Sequence, residues 1–157
     1  MNKKYINIYN NLINLTRNKK LYNGFASQDT FSDRMVFLLL HFSFFLKAYK
    51  KDCSKETLQE VFDYFFKQID NSIRERGFGD TTINKKMKNY INLFYNMLND
   101  IDKWENFDTR NQEKLLNKFI NSSNNTNYIA SYFSNYLNYL KNNSFNSLLK
   151  GVIKHKI

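Results

Sequence analysis

The chain has 157 residues, one cysteine, no proline and a formal net charge of +10. A domain of that size buries roughly two-thirds of its unfolded surface, so no metal or disulfide is needed to hold it together. Cys53 has no partner for an internal bridge, which suits a reducing, cytosol-like compartment. The N-terminal residues Met1 to Asn7 lack an apolar stretch and a small-residue cleavage site, which argues against a signal peptide. The most apolar run, Met35 to Leu46, is interrupted by His41 and Ser43. A bilayer needs about 20 apolar residues in a helix, so this run is a core helix rather than a span.

The charge is uneven: +6 over residues 1–50 (8 basic, 2 acidic), 0 over 51–100 (8 and 8) and +4 over 101–157 (8 and 4). Basic ends favour polyanionic partners such as nucleic acid, a ribosome or an acidic leaflet. Base composition is the bland explanation, since 25 Asn and 19 Lys are what an AT-rich coding sequence gives.

In chain order, helical periodicity dominates. Tyr5, Ile8, Leu12 and Leu15 form one stripe over residues 4–18, followed by a loop to Gln28 broken at Gly24. Asp29 or Thr30 can cap a second helix to about Lys50, apolar on nearly every side and therefore central. Ser54 can cap a third helix bearing Val61, Phe62, Phe65, Phe66, Ile69 and Ile73, with Gly77 at its C′ position. After the turn through Gly79 and Asp80, a fourth helix is expected from about Thr82, with Ile83, Met87, Tyr90, Phe94, Met97 and Ile101 in a 4-3-4-3-4 stripe. Trp104 stands at its end as a packing plug. Thr109 to Gln112 reads as a capping box for a short fifth helix. A sixth carries Ile129, Phe133, Tyr136, Leu137 and Leu140, and a last short one covers Phe145 to Lys150. No strand-like alternation persists. The expectation is a single all-α domain of six to seven helices around a central helix at about 30–50.

Two segments carry a resemblance. Asp29-Thr30-Phe31-Ser32-Asp33-Arg34-Met35, running on to His41, resembles a D-T-x-x-G-R-F-x-x-x-x-L-H helix start. Phe62 to Asp80, with Asp70, Arg74, Glu75, Gly77 and Gly79, resembles an F-x-D-M-D-x-x-L-R-E-M-G-V-G-D helix and turn. Lys85, Lys86 and Lys88 and then Phe94-Tyr95 follow the same pattern. These are signatures of the ubiquinol–cytochrome c reductase (complex III) assembly chaperones, and the similarity spans about residues 20–100. Gln28, Asp33 and Gln68 depart from it where the family usually has Pro, Gly and an acid. The resemblance implies a non-enzymatic chaperone whose client is newly made cytochrome b, working with a small co-chaperone or the ribosome. It implies no cofactor and no small-molecule substrate. A bacterial-type member without presequence or membrane anchor would be cytoplasmic, in peripheral contact with the inner membrane. The mechanism implied is passive: a charge-rimmed apolar groove, visible as an exposed hydrophobic patch.

Arg34 and His41, seven residues apart, fall on one helical face, and Asp63, Asp70 and Arg74 fall on another. If those faces pack together, they form either a recognition site or an internal ion-pair lattice that sets register. A metal reading from His41, Asp63 and Asp70 lacks the Glu-x-x-His pair of di-iron bundles and any zinc spacing. Cys53 and His155 have no flagged catalytic partners, and no phosphate loop is present. Lys85, Lys86 and Lys88 oppose the dipole of their helix, so the cluster is either a binding patch for acidic partners or a solvated surface. Tyr128, Tyr132, Tyr136 and Tyr139 form either an interface or a core margin. A second class of function is basic helical nucleic-acid binding, which would need Lys19, Lys20 and the Lys85 cluster on one continuous face.

Overall fold

The computed structural model describes residues 3–25, 30–120, 125–151 and 153. Among these, seven α-helices form and no strand does. They are α1 (Ile6–Leu15), α2 (Phe31–Tyr49), α3 (Lys55–Glu75), α4 (Asp80–Ile101), α5 (Thr109–Asn117), α6 (Thr126–Lys141) and α7 (Phe145–Lys150). Two 3₁₀ turns, Lys19–Tyr22 and Trp104–Asn106, fill connections.

The helix starts are chemically specified. The Thr30 hydroxyl accepts the Asp33 N–H, Ser54 accepts that of Thr57, and Ser144 that of Ser147, satisfying donors left open in a first turn. Asp29, the other candidate cap, lies outside the described residues. The capping box is displaced by one position: Asp108, not Thr109, is the cap and accepts the Asn111 N–H. A carboxylate is the stronger acceptor, and Thr109 becomes the first helical residue. Likewise α4 begins at Asp80, two residues before Thr82, because Gly79 takes the extended cap conformation and an acid favours a first turn.

An apolar circumference places α2 at the centre, where Phe37, Leu39, Leu40, Phe42, Phe44 and Phe45 are fully buried. It packs against α1, α4 and α6. On one side Phe42 stacks on Phe65 of α3 at 3.8 Å between ring centroids and on Phe94 of α4 at 5.0 Å. On the other, Phe44 stacks on Phe133 of α6 at 4.8 Å and meets Trp104 edge-on at 5.1 Å. Trp104 lies beyond α4, in the second 3₁₀ turn, where its indole N–H reaches Ser134 Oγ at 3.1 Å. The chain closes on itself through Asn11, whose Nδ2 donates to the Gly151 carbonyl at 2.9 Å.

Candidate functional site

The second signature segment, Phe62 to Asp80, falls on the α3–α4 hairpin. α3 buries Val61, Phe65, Phe66, Ile69 and Ile73 and leaves Asp63, Lys67, Arg74 and Glu75 exposed, as its amphipathic spacing requires. It ends at Gly77, whose φ of +89° is a conformation that a side chain disfavours. A Cβ there would touch nothing within 4 Å, so backbone conformation alone asks for glycine.

Arg74 staples the turn. Its Nε donates to Asp70 Oδ1 at 2.5 Å and its Nη1 to Asp80 Oδ1 at 2.7 Å, linking the last turn of α3 to the first of α4. The hydrogen bonds to Asp80 and Asp70 raise the guanidinium pKa further. Arg74 is 46% exposed and Asp80 84%, so water screens both pairs and each is individually weak. Asp63 accepts from Gln59 Nε2 at 2.8 Å instead of joining the staple.

Beside this stripe runs a shallow groove of about 560 Å³ between α3 and α4. Phe62, Phe66 and Ile91 line it, with Asp63, Lys67, Asp70 and Arg74 among its charged members. Tyr95, off the buried stripe of α4 by one residue, stacks on Phe62 at 5.9 Å and is 53% exposed. Phe78 in the turn is exposed too, with Lys86 Nζ 4.9 Å from its ring centroid. The described surface is less apolar than the implied patch: Ile6, Phe78 and Tyr95 are its only exposed large hydrophobic side chains. Periodicity gave no warning of the Phe62–Tyr95 pair, because it ranks residues for burial.

The two expected faces do not meet. His41 is fully buried and turns toward α6: Nδ1–H donates to the Phe37 carbonyl and Nε2 accepts from the Tyr132 hydroxyl, both at 2.6 Å. Phe133 and Tyr136 pack around its ring. It therefore forms no network with Asp63 or Asp70, and both its nitrogens are engaged, which removes it from the metal reading. Arg34 is exposed and lines a separate cleft of about 180 Å³ with Tyr9, Ile13, Phe31, Leu38 and Ser72. Seven residues of helix bring Arg34 and His41 onto one stripe, but the surroundings of that stripe change from solvent to core along α2.

Tyr132 and Tyr136 are buried, and burial pushes both hydroxyl pKa values well up. Tyr128 and Tyr139 flank them half-buried, so the tyrosine stripe is a core margin. Cys53 is half-buried, and burial followed by nearby Asp52 raises its pKa, opposite to what an activated thiolate needs. His155 lies outside the described residues. Among the described residues no three His, Cys, Asp or Glu side chains gather as a metal site. No described helix is long and apolar enough to cross a membrane. Lys19 and Lys20 sit beside α6, where Asn125 Nδ2 donates to the Lys20 carbonyl, whereas Lys85, Lys86 and Lys88 belong to the first turns of α4.

No curated protein matches the chain by sequence. The crystal structure of the Cbp3 homolog from Brucella abortus is similar at a TM-score of 0.72 and 25% identity, covering 93% of this chain and 84% of that one. A family profile described as "Ubiquinol-cytochrome C chaperone" matches residues 23–155, and over that span, α2 through α7, the chain belongs to the ubiquinol–cytochrome c chaperone family.

Proposed function

We propose that this protein is a non-catalytic assembly factor that holds newly made cytochrome b until ubiquinol–cytochrome c reductase is built, and that the α3–α4 hairpin is its client face. The observation that carries the reading is the coincidence of three features on one surface. The signature segment Phe62–Asp80, the groove floored by Phe62, Phe66 and Ile91, and the exposed ring of Tyr95 adjoin one another. A solvent-accessible aromatic pair beside a charged rim supplies both the apolar contact and the registering contacts that a client segment needs. Arg34, in the cleft that Ser72 of α3 also lines, and the Lys85, Lys86 and Lys88 cluster on α4 serve as secondary contacts. Asp29 precedes Thr30 in the sequence, and His41 acts through α2 by fixing its packing. A small co-chaperone or the ribosome would share the work, and contact with the inner membrane would be peripheral, from the cytoplasmic side.

The test is deletion of the gene in its native host under respiratory growth, with assembled complex III read by blot and cytochrome b by difference spectrum. Loss of both, restored by the wild type but at least severalfold less by Arg74→Ala at equal protein level, is the expected outcome. Complex III untouched by the deletion would sink the function. Full rescue by Arg74→Ala and by a Phe62→Ser/Tyr95→Ser pair would move the client face elsewhere.

A further inference from the structure

The charged edge of α3 reads the same in both directions. Asp63, Lys67, Asp70 and Arg74 are spaced 4, 3 and 4 residues apart and so lie along one side of the helix, over about 17 Å. Reversing the helix about a point between residues 68 and 69 sets Asp63 against Arg74 and Lys67 against Asp70, and the other two positions repeat the same pairs. Every position then meets its opposite charge. That is the condition for an isologous contact, in which one patch is complementary to itself under a two-fold rotation.

We infer that the outer edge of α3 is a self-association surface, pairing antiparallel with α3 of a second copy of this chain. Charge balance over the molecule favours this edge. Two chains of +10 repel each other overall, but α3 carries five acids and three bases, a net of −2. The side chains are also available. Lys67 is exposed and forms no ion pair among the described residues, although Asp63 is an i,i+4 neighbour, since Asp63 takes the Gln59 amide instead. Among the described residues the staple uses Nε and Nη1 of Arg74 and one oxygen of Asp70, which leaves Nη2 and Asp70 Oδ2 for a partner. The Phe62–Tyr95 stack adjoins Asp63 and would lie beside the end of the second copy's α3 that bears Arg74, where a guanidinium over an aromatic face is a favoured contact. The dimer stands on charge geometry alone. One consequence does rest on the function proposed above: the second copy covers the client face, so the dimer is the unloaded form.

Sedimentation velocity of the purified chain, over a concentration series and in rising sodium chloride, tests this without any client present. The wild type should pass from monomer to dimer with concentration, and salt should weaken the dimer. Lys67→Asp and Asp70→Lys each turn attractive pairs repulsive and should weaken dimerisation on the order of tenfold or more. The double variant Lys67→Asp/Asp70→Lys restores the self-complementary pattern and should recover it. Circular dichroism checks that each variant is folded. A wild type monomeric throughout overturns the inference, as do single variants that dimerise like wild type or a folded double variant as weak as the singles. None of these outcomes bears on complex III assembly, so the dimer and the client reading can fail separately.

Discussion

Two regions drawn from the same sequence signature have opposite physics. Around His41 the polar atoms are few, dry and fully matched: imidazole to tyrosine hydroxyl and to its own helix carbonyl, inside a cage of Phe133 and Tyr136. Around Arg74 they are many, wet and individually weak, on the outside of a hairpin. The first region fixes how α6 sits on α2. The second fixes a turn and leaves charge for other molecules to read. A residue shared with a family signature can therefore be a packing device or a recognition device, and burial distinguishes the two.

The largest expected effect lies in the dry region. His41→Ala removes a buried ring and the hydrogen bond it makes with the Tyr132 hydroxyl, which together should cost about 3 kcal/mol. For a chain of this length that is a fall of about 6–12 °C in the thermal midpoint, followed by circular dichroism. Tyr132→Phe removes that hydrogen bond but keeps the ring packing and should cost about half as much. A His41→Ala change below about 1 kcal/mol would erase the contrast between the regions.

The contrast was only half legible in the sequence. Element types came through because each rests on local signals: the all-round apolarity of α2, Ser54 as a cap, Gly77 as a stop, the stripe of α4. Ends shifted wherever two caps competed, as with Asp108 and Thr109. The site was harder, because spacing reports which residues share a face and says nothing of what covers it. Arg34 and His41 share a stripe, yet one is exposed and the other lies under α6. The pairing of His41 with Tyr132 joins residues 91 apart, which no periodicity reveals. Arg74 with Asp70 was readable, being an i,i+4 pair.

A middle-sized effect separates backbone need from contact inside the wet region. Gly77→Ala forces a Cβ onto a residue at φ +89° and should cost about 1–2 kcal/mol in urea unfolding, although the space around it is empty. Gly79→Ala, two residues on, meets neither strain nor neighbours and should stay within about 0.5 kcal/mol. Equal costs at both positions would mean that the turn is held by something other than the left-handed glycine.

The smallest effect asks whether surface ion pairs ever approach the weight of the buried pair, and the strongest candidate is Glu105. Burial opposes its ionisation, yet hydrogen bonds from Lys141 and Lys47, at 2.8 and 2.9 Å, prevail and hold its carboxyl at about 2 against an ordinary 4.5. A carboxyl depressed in the folded state adds stability above its unfolded pKa and loses it as pH falls through the folded one. The Glu105 side chain is 45% exposed, so screening reduces the contribution to about 1 kcal/mol. Glu105→Gln should therefore lie about 1 kcal/mol below wild type at pH 6. The gap should close between pH 4.5 and 2, where the wild-type carboxyl takes up its proton, and molar sodium chloride at pH 6 should narrow it too. A gap that persists at pH 2 would show Glu105 stabilising by packing rather than by charge. That would place it with His41 rather than with Arg74.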